Sequence, residues 1–410
     1  MKILYVTQYF TPEIGATTNR ALANVRCLAD KGHRVTVLTE MPNHPKGVIF
    51  EGYRKKIFMK EKMENFSVNR VWIHTTPQKN FITRISFYLS FVFMGILHSI
   101  FNWKKYDVVY VTSPPLFTGI IGLFLKMIHP KSKFIFEVRD LWPDAAIEMG
   151  ELTNRIMIKF SFKLENSLYR NADHIVAVTK SFKQEIIKKG FAENKISVIR
   201  NGSDLSFKNV KVSEKLRMKF NKANNFIVIY AGNLGIAQNL ITLLKAAEKL
   251  LNDNILFILI GTGVEESLLK KYAKEHNLNN VEFTGEIPKK DVSQFMSLAD
   301  FGIIPLKNIN VFRRTIPSKL FDYMSANLPV LLGVKGEAEE ILDESKAGIS
   351  FEPDNVGDLV EKIKKVMNNR SIVNIYKQNG RKFVEDNFDR RKQASVLEGT
   401  IQNVVNNKEF

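Results

Sequence analysis

Cysteine is nearly absent. The single Cys27 in 410 residues has no partner for an internal disulfide, which fits a reducing compartment and leaves the thiol a packing role on a helix. Metal-ligand spacings are missing as well: there is no Asp-x-Asp, no His-Glu-x-x-His and no cysteine and histidine cluster, so no metal is expected. RNP-like aromatic motifs, zinc-finger spacings and a helix-turn-helix pattern are also lacking, which argues against nucleic acid as a partner. Acidic residues are the scarcer charge, 42 Asp and Glu against 60 Lys and Arg, for a net +18. The imbalance is local. Residues 1–205 hold 30 Lys and Arg and 17 Asp and Glu, a net +13, and the remainder carries +5. A basic first half suits an anionic membrane surface or phosphorylated substrates, although a lysine-rich proteome would produce the same excess.

Long hydrophobic runs are scarce too. Residues 81–103, FITRISFYLSFVFMGILHSIFNW, are apolar on nearly every helical face. Fewer than the ~20 consecutive residues of a usual membrane span lie between Arg84 and the Trp103-Lys104-Lys105 edge. A spanning helix, a membrane-dipping helix and a buried domain helix all stay open for this stretch. Upstream, YRKKIFMKEK at 53–62 interleaves basic residues with Tyr53, Ile57, Phe58 and Met59, which suits anionic headgroups or a plain surface loop. The opening MKILYVTQYF is too short and polar for a signal peptide and is expected to form a first buried strand.

What the chain does have is alternation. Short apolar runs, KILYVTQ, HRVTVLT, VNRVWIHT, YDVVYVTS, KFIFEVR, HIVAVT and ISVIRNG, are separated by helical stretches such as 17–31, 153–171 and 181–189. That pattern predicts a parallel, doubly wound sheet. A second series, FIVIYAG, ILFILIG, NVEFTG, ADFGIIP and LPVLLGV, follows the lysine-rich stretch 206–225, with helices near 238–251, 264–276, 289–298, 317–326 and 355–368. The fold class is therefore α/β, two Rossmann-like domains in tandem, the ordinary size for a chain of this length.

Open α/β sheets bind ligands beyond the carboxyl ends of their strands. Three strand ends of the second domain carry glycine: Gly235 after Asn233-Leu234, Gly261 and Gly263 around Thr262, and Gly285 before Glu286-Ile287-Pro288. Small residues there let a ligand approach the backbone, and together they suggest a nucleotide-sized cleft. A fourth strand end leads into TIPSKLFDYM at 315–324. Pro317 suits a first helical turn, where free N–H groups favour an anion. Arg313, Arg314 and Lys319 add cationic donors. Asp322 lies one turn further, about 5 Å away, which suits the ribose diol of a bound nucleoside diphosphate. The plainer alternative is a solvated helix acid paired with Lys319.

At this point the chain resembles a known family. The layout is similar to the GT-B glycosyltransferases of family 4, and TIPSKLFDYM followed by NLPVL resembles the PSKLFEYM branch found among O-antigen and capsule transferases, including L-fucosamine transferases. YFTPEIGATTNR, VLTEMPNHPKG, FEVRDLWPD and YAGNLGIAQNL agree in order along essentially the whole chain. The resemblance implies two domains facing across a cleft. Residues 1–205 would bind the acceptor and the membrane, residues 206–388 the donor, and a final helix at 389–405 would pack back on the first domain. It also exposes departures. Thr315 and Asp322 stand where the family has a Glu-x7-Glu pair, and Asn233 and Gln238 stand where many members bind the donor phosphates with Arg and Lys. Arg139-Asp140 replaces a common His-Asp pair.

The resemblance implies a retaining transfer in which the departing diphosphate accepts the acceptor's proton, so the protein stabilises charge and orients substrates. Lys319, with Arg314, Ser318 and Leu320 beside it, would serve the phosphates, and Asp322 the ribose. Gly15, Asn233, Gly235, Gln238, Gly261, Gly263 and Ile287 would line the donor. Arg139 would stabilise charge, Asp140 orient or deprotonate the acceptor, and Asn43 and His44 contact it; Glu337 could touch sugar hydroxyls or simply cap a helix. The implied donor is a UDP-sugar, an N-acetylated deoxysugar by branch, with no cofactor. The implied acceptor is a polyprenyl-pyrophosphate-linked saccharide at the inner face of the cell membrane, for O-antigen or capsule. The protein would be cytoplasmic and peripherally attached there, in no deduced oligomeric state. Two other classes stay open: an isomerase like UDP-N-acetylglucosamine 2-epimerase, and a non-catalytic, membrane-attached nucleotide-binding subunit.

Overall fold

In a computed structural model, residues 1–77, 81–102, 104–205, 210–220 and 222–407 are described. Along the first part the elements are β1 (Lys2–Val6), α1 (Ala16–Asp30), β2 (Arg34–Glu40), β3 (Phe58–Met63), β4 (Phe66–Val71) and α2 (Phe81–Phe101). Then come β5 (Val108–Thr112), α3 (Gly119–Ile128), β6 (Lys133–Val138), α4 (Asp144–Glu148), α5 (Arg155–Asn171), β7 (His174–Ala177), α6 (Lys180–Lys188) and β8 (Ile196–Val198). The second part holds α7 (Glu214–Lys219), β9 (Phe226–Ala231), α8 (Ile241–Lys249), β10 (Ile255–Ile260), α9 (Glu266–Glu275), β11 (Val281–Gly285) and α10 (Lys289–Leu298). It continues with β12 (Phe301–Pro305), α11 (Asn310–Arg313), α12 (Ser318–Ser325), β13 (Val330–Gly333), α13 (Glu337–Ser345), β14 (Gly348–Ser350), α14 (Val356–Asn368) and α15 (Arg370–Asn387). The last helix is α16 (Arg390–Val405).

The chain divides into two compact units, one of residues 1–201 with 390–410 and one of residues 202–389. Residues 206–209, where the sequence places the domain boundary, lie outside the described residues, as does Trp103. The first unit is built on an eight-stranded sheet of order β3-β4-β2-β1-β5-β6-β7-β8, parallel except for β3. The second is built on a six-stranded parallel sheet of order β11-β10-β9-β12-β13-β14. Both are covered on two faces by apolar clusters, which is why their central strands are apolar runs without alternation.

The 53–62 stretch, expected as a loop or headgroup contact, contains a strand. β3 pairs antiparallel with β4, Met59 opposite Arg70 and Glu61 opposite Val68. As an edge strand with alternating exposure it leaves Phe58, Lys60 and Lys62 outward, and its lysines are the residues that discourage further strand pairing. The apolar 81–103 stretch forms α2, whose Thr83–Phe101 part is long and apolar enough to cross a membrane, with mean hydropathy 1.5. One face is spent on the sheet through Phe91, Val92 and Met94. Gly95 allows close packing on α3, since a Cβ there would lie 2.6 Å from Ile121 Cδ1. The opposite face exposes Leu89, Phe93 and Ile100.

α16 returns to the first unit and packs on α1, with Cys27 Sγ 3.6 Å from Ser395 Oγ. Glu398 clamps it there, accepting from Lys31 Nζ at 2.8 Å and His33 Nε2 at 2.9 Å. Burial alone would push this carboxyl up, but Lys31, His33 and Gln402 hold it below the usual carboxylate range. The clamp therefore stabilises above the unfolded carboxylate pKa and is lost as pH falls through the folded one. Glu398→Ala should lower first-unit stability by about 1–3 kcal/mol at neutral pH, with earlier hydrogen exchange in α16 and a difference from wild type that vanishes toward acid. Equal melting temperatures at pH 7 would show that the clamp contributes nothing.

Candidate active site

The second unit places the predicted donor residues at the carboxyl end of its sheet. Lys319, on the first turn of α12, extends to the end of β9. Its Nζ donates to Tyr230 Oη at 2.6 Å and lies 4.1 Å from the Tyr230 ring centroid, and the tyrosine hydroxyl in turn donates to the Asn233 carbonyl at 2.6 Å. Burial pushes the Lys319 ammonium down to about 8, with the Asp322 charge opposing that shift. Gly232 makes room. A Cβ there would sit 2.5 Å from Lys319 Cε, at a φ of +146°. Next to it, Tyr323 Oη accepts from the Ala231 N–H at 2.9 Å and pins α12 to β9. Tyr230 was not among the residues read from sequence, because nothing in a buried strand tyrosine signals that a lysine 89 residues later will lie over it.

Asp322, half-buried, occupies the next turn of α12. One expectation for this helix changes. Leu320 is fully buried in the core, and its N–H already bonds to the Pro317 carbonyl, so it has neither group to offer a ligand. Thr315, in place of the family's first acid, turns its hydroxyl onto the Val311 carbonyl at 2.9 Å. Ser318 opens α12, and half-buried Arg314 caps the short helix before it.

The glycine row has a reason inside the chain. A Cβ on Gly261 would meet the Gly232 carbonyl oxygen at 2.0 Å, and one on Gly263 the Leu234 oxygen at 2.3 Å. The loops after β9 and β10 touch each other, so these glycines are needed to let backbone approach backbone whether or not a ligand is bound. Gly235 lies against Asn233 Nδ2 and Gln238 Oε1. Asn233 is exposed, and Gln238 Oε1 is buried without a partner among the described residues. Ile287 packs against the core. Glu337 is buried at the start of α13, whose first turn also carries Glu339 and Glu340, where acids complement the helix dipole.

In the first unit, Gly15 is the residue before α1, and a Cβ there would have nothing of the chain within 4 Å. It would project into a cavity of about 270 Å³ lined by Tyr9, Glu13, Gly15, Thr17 and His44 among others. A second cavity of about 270 Å³ shares Tyr9 and His44 and extends to Thr83, Phe87 and Tyr88 of α2. The loop between them is held by an acid the sequence did not reveal. Glu13 Oε1 accepts from the N–H groups of Asn43 and His44, each at 2.8 Å. Glu40 accepts from Asn43 Nδ2 at 2.6 Å. Burial raises both carboxyls, Glu40 further because it is more completely buried, with the Glu13 charge adding to the shift. The Asn43 side chain is thus spent on Glu40, Met41 and Thr75, and it supports the loop that carries His44.

Arg139 and Asp140 follow β6. Half-buried Arg139 has its Nε unpartnered among the described residues, and burial lowers its pKa, with Glu137 opposing and Arg20 assisting. Asp140 is exposed, yet the surrounding chain displaces enough water to push its carboxyl up to about 6, against the pull of Arg139. Among the described residues no group of three or more His, Cys, Asp and Glu is arranged to hold a metal.

With this geometry in hand, comparison with known proteins is informative. Residues 18–207 match the family described as Glycosyltransferase Family 4, and residues 212–383 the one described as Glycosyl transferases group 1. The putative colanic acid biosynthesis glycosyl transferase WcaI of Escherichia coli K12 is 24% identical over 90% of this chain and 92% of its own. The capsular polysaccharide biosynthesis glycosyltransferase CapM of Staphylococcus aureus is 24% identical over 82% and 86%. Among solved structures, sucrose-phosphate synthase of Thermosynechococcus elongatus superposes with a TM-score of 0.74 at 14% identity, covering 98% of both chains. Anabaena HepE in complex with UDP and glucose gives 0.71 at 18%, covering 98% of this chain and 99% of that one. Those structures share the GT-B fold of two Rossmann-like domains, and the sequence matches run through both halves: the chain is a group 1 glycosyltransferase, with a Glycosyltransferase Family 4 domain at 18–207 and a Glycosyl transferases group 1 domain at 212–383.

Proposed function

We propose that this glycosyltransferase moves a sugar, with retention, from a UDP-sugar to a lipid-linked saccharide in the synthesis of a bacterial surface polysaccharide. The observation that carries the donor half is the Lys319 ammonium held over the end of β9 by Tyr230. It supplies positive charge at the strand end where Asn233 and Gln238 have none. As the glycosidic bond breaks, charge accumulates on the diphosphate, and an ammonium in a partly desolvated site stabilises it more than water would. Asp322, one turn on, accepts from the ribose hydroxyls. The departing phosphate oxygen takes the acceptor's proton, so no enzyme nucleophile is needed. Arg139 adds a second cation, and Asp140, with its pKa near 6, is ionised at neutral pH and orients the acceptor hydroxyl.

The polysaccharide role is supported by the names of WcaI and CapM, and the UDP donor by the HepE complexes. An epimerase is not favoured, since the relatives that span most of the chain are named as transferases. The N-acetylated deoxysugar rests on the wording of residues 315–324. Attachment to the inner face of the membrane is supported by exposed Arg54, Lys55, Lys56, Lys60 and Lys62 beside exposed Ile57 and Phe58, and by the outer face of α2.

Four outcomes test this reading. UDP affinity, measured by calorimetry, should be level from about pH 7, where the terminal phosphate is ionised, to about pH 8, and fall by up to about tenfold per unit above that as the Lys319 ammonium is lost; Lys319→Arg should flatten that limb. Asp322→Ala should weaken UDP by about 1–3 kcal/mol, and an unchanged affinity removes the ribose assignment. Gly15→Val should fill the first-unit cavity and reduce transfer to a membrane lipid extract on the order of a hundredfold, with the melting temperature retained; full activity would show that the cavity is not on the reaction path. Replacing Arg54, Lys55, Lys56, Lys60 and Lys62 with Gln should release the protein from anionic vesicles on sedimentation, since each basic residue near such a surface contributes about 1 kcal/mol. Undiminished sedimentation excludes that strand as a membrane contact.

A further inference from the structure

The cavity that extends to α2 has a chemistry of its own. Tyr9, Phe87 and Tyr88 form a run of rings, with centroids 6.4 Å apart for Tyr9 and Phe87 and 5.5 Å for Phe87 and Tyr88. Such faces stack against the C–H face of a pyranose while hydroxyl donors fix its rim. Thr76 and Thr83 bring hydroxyl groups to the lining, and Thr75, whose hydroxyl donates to Asn43 Oδ1 at 3.4 Å, brings an acceptor oxygen. The wall is rigid where the 43–47 loop meets the 75–76 segment: a Cβ on Gly47, at φ +67°, would lie 2.4 Å from the Thr76 carbonyl oxygen.

Charge distinguishes this cavity from the one at Gly15. Among the described residues its lining includes no carboxylate, and the Arg84 guanidinium is the fixed charge there. Arg84 bonds Glu151 at 3.1 Å, but both side chains are about half exposed, and an exposed pair of that kind is worth little and is readily exchanged for a phosphate. The neighbouring cavity instead contains Glu13 and the start of α1. Tyr9 and His44 line both, so a ligand with its ring against Phe87 and Tyr88 reaches the Gly15 cavity past those two side chains.

We infer that this cavity is a subsite for a saccharide 1-phosphate group, the pyranose on the Tyr9, Phe87 and Tyr88 rings and the phosphate on Arg84. It rests on the reading of the first unit as the acceptor side, and it assigns to that side a sugar-phosphate unit rather than a neutral glycan end. A volume of about 270 Å³ is at the small end of ligand sites and matches one ring with its phosphate. The same phosphate chemistry could come from a phospholipid headgroup, and the experiment separates the two.

The test is calorimetry on the full chain with UDP present at saturation, so that the nucleotide site is filled. N-acetylglucosamine 1-phosphate, N-acetylglucosamine, inorganic phosphate and phosphatidylglycerol vesicles are the probes. The sugar phosphate should bind at least tenfold more tightly than either the free sugar or phosphate. Arg84→Ala should reduce it to the level of the free sugar, and Arg84→Lys should restore part of the difference. Phe87→Ala should weaken sugar and sugar phosphate alike while leaving vesicle binding unchanged. Equal affinity for phosphate and sugar phosphate, or Arg84→Ala without effect on the latter, overturns the inference. Loss of vesicle binding in Arg84→Ala with no sugar-phosphate binding in the wild type assigns the residue to the lipid surface and overturns it too. Failure of UDP to bind at all would count against the donor reading and leaves this comparison intact, since it can be repeated without nucleotide.

Discussion

One buried ion pair organises the first unit. Arg20 of α1 reaches Glu137 of β6 through Nε and Nη2, at 2.9 and 2.8 Å, and both side chains are essentially solvent-free. Arg20 also donates to the carbonyls of Ile199 and Arg200, and Tyr110 donates to Glu137 at 2.7 Å. Burial would push the Glu137 carboxyl up, but Arg20 and Arg139 hold it below its ordinary range. Charges taken this far from water are tolerable only when paired and hydrogen-bonded. The pair therefore ties together the helix that begins at Gly15, the strand that ends at Arg139, and the chain as it leaves the unit. Gly15, Arg139 and Asp140 flank two of those elements directly, whereas Asn43 and His44 follow β2 and Arg84, Phe87 and Tyr88 belong to α2.

In the second unit the comparable constraint is Lys319 over β9. An ammonium there must displace a side chain, and Gly232 provides the space. It must also keep a hydrogen bond in a partly desolvated place, and Tyr230 accepts it. The lowered pKa follows from the same burial. A cation with a weakened hold on its proton, hydrogen-bonded to the neutral Tyr230 among the described residues, is well placed for an anionic ligand, because binding offsets the desolvation that burial imposed. This is how a chain with Asn233 and Gln238 at the usual phosphate positions still carries positive charge at that strand end.

Much of this was legible before any coordinates. Alternating apolar runs and helical stretches identify two parallel sheets, because strands buried on both faces must be apolar throughout. The glycine-punctuated strand ends and TIPSKLFDYM were identified for the second unit, and Lys319 and Asp322 lie on the first two turns of α12. The rest is hidden for different reasons. The lysines of 53–62 suit headgroups or a surface loop as well as they suit the exposed edge strand β3. Leu320 adjoins Lys319 in sequence but faces inward with Phe321 and Met324. Gly261 and Gly263 meet the neighbouring loop, a packing need that local sequence does not display.

The order of elements, the division into two units and the candidate charged residues on α12 were written in local pattern, because helix and strand periodicities and turn residues are properties of neighbours in the chain. The partners were not. Tyr230 meets Lys319 across 89 residues, Arg20 meets Glu137 across 117, and Glu13 meets the backbone of His44 across 31. Only folding decides which buried polar group satisfies which, since burial makes an unpaired charge or donor costly and selects the arrangement in which each finds a mate. The aromatic cavity is of the same kind: Tyr9 follows β1 and Phe87 lies on α2, and they form one wall only because both pack over the same sheet.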